Sequence, residues 1–491
     1  MRFEKFLLDD YLQTEEGKEL FSFFKNMANH YFNHFDFFLK KVDSFIQVSD
    51  TAEYHYNNTN HLYIYHGHCR SFQDFFEKYR LKDHPDPRVF QDFIPEESVL
   101  WFLKYPDYAF PYLYPSHFFI FQGIMDNFDI PLPPIPKSSK ALERCNYYFD
   151  ICRSLYDFRQ QYHLSPVELC VFLYGFARRY IPYVIKNINE LPPANNIFLV
   201  AGKPDDCENC LKITSALKPD IWSNGKKMMA GDIVLLYEMF PVSSIIAAFR
   251  CLANGYDDPF NYWNDKIILG APVVFPPISL KKLQAAPVWK ENALVKRCMQ
   301  GTCGNLCSVQ EYNVLKDLIK EADPNFPIAS LPEPPPYAQF YHEGIETEKD
   351  VEEKLLEPLL AKLGYNVKKE FTRQFPIRMG RGIRYYPDYA LHAKGTRGEE
   401  RADFIWEAKY RIPTQKQLRE DYGQAKSYAI RLQTKGFGLV SIEGVKIWTA
   451  ASHFDFDKLI SRSWEELEMP EKMGKLKILF NGLCKPKNLR Q

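Results

Sequence analysis

The sequence predicts a multidomain α+β protein, with a helical N-terminal region, a small β-barrel in the middle and an α/β core at the C-terminal end. Three observations predict it. Helical periodicity with an excess of Phe and Tyr dominates residues 1–190. Short apolar runs separated by turns fill 191–325. Residues 343–465 give the order helix, three strands, helix, two strands. Pro192-Pro193 and Pro332-Glu333-Pro334-Pro335-Pro336 punctuate the edges, so 326–342 reads as a Pro-rich linker, and 466–491 as a C-terminal tail.

In the N-terminal region Phe21, Phe24, Tyr31 and Phe35 fall near one helical stripe. Ser165-Pro166-Val167-Glu168 combines an N-cap serine, proline at the first helical position and glutamate three residues on. That helix turns Leu169, Phe172, Leu173, Phe176 and Ala177 inward. No catalytic constellation stands out here, and His66 and His68, at strand spacing, read as surface or core residues.

In the middle region strands are expected at 196–201, 233–237, 244–252 and 273–280, with turns at Trp222-Ser223-Asn224-Gly225 and Ala230-Gly231-Asp232. Gly231-Asp232-Ile233-Val234-Leu235-Leu236-Tyr237, the Trp-Ser-Asn before it and Tyr256-Asp257-Asp258-Pro259 after it resemble the PUA-like superfamily, above all its EVE and YTH members. That resemblance implies an aromatic pocket for a flipped, modified base, with Trp222 and Asn224 on the pocket side. A flipped base needs a π face to replace lost stacking and polar groups to read its edge. The bland reading makes Trp222 a core aromatic, and Tyr237, Tyr256, Tyr262 and Trp263 packing residues. Cys207, Cys210, Cys298, Cys303 and Cys307 suit a structural Zn2+ site in number, but about ninety residues separate the pairs and no tight knuckle surrounds them, so zinc is disfavoured.

The C-terminal core carries the chemistry. Thr347, acidic residues Glu348, Glu352 and Glu353, and then Leu355, Leu356, Leu359, Leu360 and Leu363 read as a capped amphipathic helix ending at Gly364. Strands are expected near 366–373, 385–392 and 402–409, the second following a turn at Gly380 and Gly382. Glu407 and Lys409 are two apart on a strand and emerge from one face. Asp388, after Pro387, lies within the aromatic and apolar run 385–392. The segment 414–430 reads as a helix on which Gln424 and Tyr428, four apart, share a face; strands follow at 436–442 and 445–449.

Asp388 and Glu407 offer the carboxylates that hold Mg2+, with Mn2+ as an alternative, and Lys409 is placed to orient or deprotonate an attacking water. The order of elements and the phrase Pro387-Asp388 with Glu407-Ala408-Lys409 resemble the restriction-endonuclease-like PD-(D/E)xK nuclease core. The Thr347 to Tyr365 helix and the Gln424 and Tyr428 pair look like the nuclease domains of type I restriction motor subunits and RecB-like nucleases. From the resemblance, Asp388, Glu407 and Lys409 carry over as catalytic, Gln424 and Tyr428 as supporting, and an acid of the first helix joins them. Glu348 is preferred over Glu353.

At 491 residues, 46% hydrophobic and 25% charged with net charge zero, global charge says nothing about nucleic acid. Lys368, Lys369, Arg373, Arg378, Arg381, Arg384, Lys394, Arg397 and Arg401 nonetheless cluster beside the candidate site and suit a phosphate backbone. Eleven cysteines without regular spacing and a start lacking an apolar signal core lead to the expectation of a reducing cytoplasm. No run of about 18 apolar residues suggests a membrane span, and no phosphate-binding Gly-rich motif appears, so any motor subunit is a separate chain. The expected function is a Mg2+-dependent DNA endonuclease of restriction or phage-defence type, gated by base modification, acting as a homodimer or larger assembly. The alternatives are a nucleic-acid-binding scaffold subunit and an RNA-directed nuclease.

Overall fold

The computed structural model describes residues 3–46, 69–181, 190–215, 218–378, 384–395 and 398–484. His66, His68, Gly380, Arg381, Gly382 and Arg397 lie outside that set. The chain is mixed α/β, with a helical N-terminal region and curled sheets, and divides by its contacts into two compact units. No helix among the described residues is long and apolar enough to cross a membrane.

The first unit takes in residues 1–192, 198–305 and 318–332. Its helices include Glu15–Lys25, Met27–Asn33, Phe35–Ile46, Ile94–Lys104, Phe118–Asn127 and Ala141–Gln161. The aromatic stripe of the sequence is divided among three helices, because Asn26 and His34 end one and begin the next. Phe24 is buried, while Phe21 and Tyr31 are half-buried. The Ser165 capping box forms with Glu168, and a short α-turn passes into a π segment, Phe172–Phe176. Leu169, Phe172, Leu173, Phe176 and Ala177 are all buried in one aromatic-rich core.

The sheet of this unit contains β1 (Ile197–Gly202), β2 (Asp220–Ser223), β3 (Ile233–Glu238), β4 (Ser244–Cys251), β5 (Tyr256–Asp257) and β6 (Asp265–Ser279). Its order is β2–β6–β4–β3–β1, with β5 pairing β6. Two register shifts along the β4/β6 pair bend the long strand, as bulges do. The loop after β5 enters the helical core: Phe260 is buried and lies edge-on to Tyr112 at 4.8 Å. Arg144, 1% exposed, donates to Asp257 at 2.8 Å, and Tyr256 donates its hydroxyl proton to the Ser116 carbonyl. A short strand, β7 (Asn305–Cys307), follows the sheet in sequence.

The second unit takes in residues 193–197, 306–317 and 333–491. It holds β8 (Phe371–Arg373), β9 (Ile377–Arg378), β10 (Arg384–Tyr385), β11 (Tyr389–Leu391), β12 (Phe404–Ala408), β13 (Gly436–Ser441), β14 (Gly444–Thr449) and β15 (Ile460–Arg462). The main sheet runs β15–β14–β13–β12–β11–β8, with β12 and β13 parallel and the others antiparallel; β9 and β10 form a separate ribbon. The helix Gln415–Leu432 makes the crossover that a parallel pair requires. Period-two alternation divides the strands between two cores. Phe404, Trp406 and Ala408 pack with Leu355, Leu356, Leu359 and Leu360 of the first helix. Ile405 and Ala390 pack on the other face with Leu418, Ala425, Tyr428 and Ala429 of the crossover helix. Residues 466–491, read from sequence as a tail, contain the helix Pro470–Leu483, whose Met473, Leu476 and Phe480 are buried in the first of these cores. Phe340, within the Pro-rich stretch, is buried there too.

Candidate active site

Antiparallel pairing of β11 with β12 sets Tyr389 opposite Trp406, so the N-terminal end of β11 and the C-terminal end of β12 meet at one end of the sheet. Asp388 stands one residue before β11, Glu407 lies near the end of β12, and Lys409 directly follows it. Alternation puts Asp388 in phase with Ala390, and Glu407 and Lys409 in phase with Ile405, all toward the crossover helix.

Asp388 is held on both oxygens. Oδ2 accepts from the Ala408 amide at 2.8 Å and Oδ1 from the Gln374 side chain at 2.8 Å. Glu407 is 3% exposed, and its Oε1 is buried with no hydrogen-bond partner among the described residues. Burial, then the nearby Asp388 charge, pushes the Glu407 carboxyl well above the usual range; Lys409 opposes that, and Glu348 adds to it. Lys409 is half-buried, anchored through its amide to the Val440 carbonyl at 2.9 Å.

The crossover helix is capped by Thr414, which accepts from the Gln417 amide. On it the Gln424 side chain donates to the Tyr428 hydroxyl at 3.0 Å. Burial raises the Tyr428 pKa, helped by the Glu407 charge and opposed by Lys409, so this pair shares the field of the two strand residues. Asp388, Glu407, Lys409, Gln424 and Tyr428 therefore converge.

The first helix is closed at its start by a capping box between Thr347 and Asp350, and a π segment occupies Glu352–Leu356. Glu348 is exposed but acts on Glu407. Glu353 is exposed and pairs with Lys349 at 3.9 Å. Glu352 is the residue that sequence reasoning passed over: burial and then the Asp388 charge raise its carboxyl pKa, with Arg373 and the Tyr389 hydroxyl opposing. Its spacing of four from Glu348 was the available signal. Gln374, the side-chain donor to Asp388, carried none.

Among the described residues no three His, Cys, Asp or Glu side chains form a ready-made metal cage. A divalent Mg2+ bound by one or two carboxylates with water and phosphate does not need one. The test is Glu407 Oε1: a buried carboxyl oxygen with no hydrogen-bond partner among the described residues, beside a second carboxylate, is a position that a hard cation fits. The cysteines behave differently. Cys207, Cys210 and Cys307 are buried with their thiol pKa values raised by burial, whereas Cys298 and Cys303 are exposed.

Of the second candidate pair, Trp222 is half-buried at the edge of the first unit's sheet, opposite Ile267. Its ring lies so close to Gly202 that a Cβ there would stand 2.6 Å from it. Asn224 is exposed at φ 67°, with its amide donating to the Asp265 carbonyl at 2.7 Å. Tyr237 and Tyr256 are buried; Trp263 is 61% exposed.

No family model and no curated protein matches this chain. Solved structures with partial likeness include Rpa0253 from Rhodopseudomonas palustris, at 16% identity and TM-score 0.23 over 26% of this chain and 95% of that one. A hypothetical protein from Leishmania major gives 18% and 0.22, over 26% and 95%. A mutant ZmASCH protein from Zymomonas mobilis gives 14% and 0.20, over 26% and 99%.

Proposed function

We propose that the chain is a Mg2+-dependent nuclease, a DNA endonuclease of restriction or phage-defence type built on a PD-(D/E)xK core. The observation that carries the reading is the fixed juxtaposition of Asp388 and the orphaned Glu407 oxygen, next to Lys409. Asp388 and Glu407 would hold the cation, which when bound supplies Lewis acidity to the scissile phosphate and lowers the pKa of a water. The protein's own part is positioning. The Ala408 amide and Gln374 orient Asp388, Lys409 orients the attacking water and offsets charge on the phosphate, and Gln424 with Tyr428 screens the site from one side.

The sheet of the first unit, with Trp222 and Asn224, would serve as a PUA-like reader of a modified base. The position of Trp222 on an edge strand of that sheet, only partly buried, supports this part of the reading. The test is a cleavage assay with Mg2+ on matched unmodified, methylated and glucosylated-hydroxymethylated DNA, with Asp388→Ala as control. Cutting of one class that the variant loses is the expected result. Equal cutting by the Asp388→Ala protein would end the nuclease assignment, and equal cutting of all three DNAs would end the reader.

A further inference from the structure

Three tyrosines around this site keep a large part of their side chains exposed. Tyr385, Tyr386 and Tyr410 are 42%, 44% and 37% exposed, whereas most aromatic side chains among the described residues are buried. Two of them lie two and three residues before Asp388, and the third directly follows Lys409. The β11/β12 pairing brings both segments to the same end of the sheet. Tyr385 is braced from behind: its ring packs on Tyr428 at 5.7 Å and 40°, and the Tyr428 hydroxyl is held by Gln424. The Arg411 guanidinium lies over the Tyr410 ring at 5.8 Å. Partly exposed rings placed this way offer apolar faces on which a flat group gains by stacking.

A second observation concerns charge. In the β9/β10 ribbon Arg378 and Arg384 are direct cross-strand partners, and neither has an ion pair among the described residues. Like charges directly opposite destabilise a ribbon, so this arrangement wants an anion. A phosphate backbone alongside stacked bases supplies both requirements.

Resting on the nuclease reading above, we infer that the substrate enters this site as an unpaired strand, with the bases flanking the scissile phosphate stacked on Tyr385, Tyr386 and Tyr410 and the backbone drawn along Arg378 and Arg384. An intact duplex cannot use the platform, because its base faces are already stacked on one another. The strand is an unpaired tract, a frayed end or a melted bubble. Stacking does not read the sugar, so DNA and RNA strands both suit the platform.

The experiment uses the full chain carrying Asp388→Asn, so that binding is read without cutting. The probes are a 20-nucleotide strand with 2-aminopurine at its centre, in deoxy and ribo forms, and the same sequence closed as a hairpin duplex. We expect the strand to bind at least about 10-fold tighter than the duplex, with a change in 2-aminopurine fluorescence as the base stacks. Tyr386→Ala and Tyr410→Ala should each weaken strand binding by about 5- to 150-fold, the worth of one stacked base, and leave duplex binding and thermal melting unchanged. Tyr410→Phe should keep the wild-type affinity. Preference for either sugar supports the platform and names the strand. Equal affinity for duplex, or indifference to both alanine variants, overturns it. The wild-type chain separates the two readings: cutting of duplex by a protein whose tyrosines are dispensable sinks the platform alone, whereas strand binding without Mg2+-dependent cutting sinks the nuclease alone.

Discussion

Asp388 Oδ2 accepts the amide proton of Ala408 at 2.8 Å, so the residue between Glu407 and Lys409 itself fixes the carboxylate opposite them. One hydrogen bond thus sets the spacing of three candidate catalytic groups. Asp388→Asn keeps an oxygen for that amide and removes the charge. Its cleavage rate should fall by about 10²–10⁴-fold with the fold intact. Asp388→Leu should also lose about 1–3 kcal/mol of stability, since the amide is left without its acceptor. Urea denaturation beside rate measurements distinguishes the two, and equal stability of both variants would contradict the role given to this bond.

Glu407 is a buried carboxyl with an unpartnered oxygen, and burial followed by the Asp388 charge disfavours its ionised form. Replacing the ionisable group should therefore make the metal-free protein more stable near neutral pH, by about 1–3 kcal/mol for Glu407→Gln. Millimolar Mg2+ should raise the melting temperature of the wild type and not that of the variant, because a ligand stabilises the state that binds it. An identical Mg2+ response in both would remove Glu407 from the cation site.

The acids of the first helix are separable. Glu352→Gln and Glu348→Gln should each slow cleavage, by about 10-fold or more, because both carboxylates act on the Asp388 and Glu407 pair. Glu353→Gln should leave the rate within a factor of two, roughly, since this side chain pairs with Lys349 at the surface. A slow Glu353→Gln enzyme with a fast Glu352→Gln enzyme would reverse the assignment.

Stability should depend on pH through Glu97, in the first unit. Burial, then the adjacent Glu96 charge, pushes its carboxyl up to about 7 from 4.5. A carboxyl raised on folding binds its proton more tightly in the native state, so its contribution is complete below pH 4.5 and is lost as pH rises through 7. Glu97→Gln, neutral throughout, should be roughly 2–3 kcal/mol more stable than the wild type at pH 8, with the advantage gone near pH 4. Denaturation curves at the two pH values check this, and a pH-independent difference would refute it.

The parts of this site that are legible in the sequence are those governed by a local period. Glu407 and Lys409 share a face because a strand alternates, and Gln424 meets Tyr428 because a helix repeats near four. Glu352, four residues after Glu348, was legible by helical spacing, but its partial burial beside Asp388 was not. Gln374 reaches Asp388 from φ 50°, a backbone state that no residue pattern announced. The helix at Pro470–Leu483 did leave a signal, Met473, Leu476 and Phe480 at helical spacing, but its charged and glycine residues diluted it. The Phe260 contact left none, because it depends on residues more than a hundred positions upstream.

That contact bears on how such a protein can be taken apart. A cut at residue 190 looks harmless in the sequence, yet it would leave Phe260 standing in water and strip Asp257 of the Arg144 guanidinium. The isolated sheet would carry a sticky apolar tip and a half-satisfied carboxylate, while the isolated helices would keep a hole and a buried cation. Recombination that moved the sheet alone into another protein would have to redesign this loop first. The helical region and the sheet are therefore one heritable part, and grafting or truncation should respect it as a single piece.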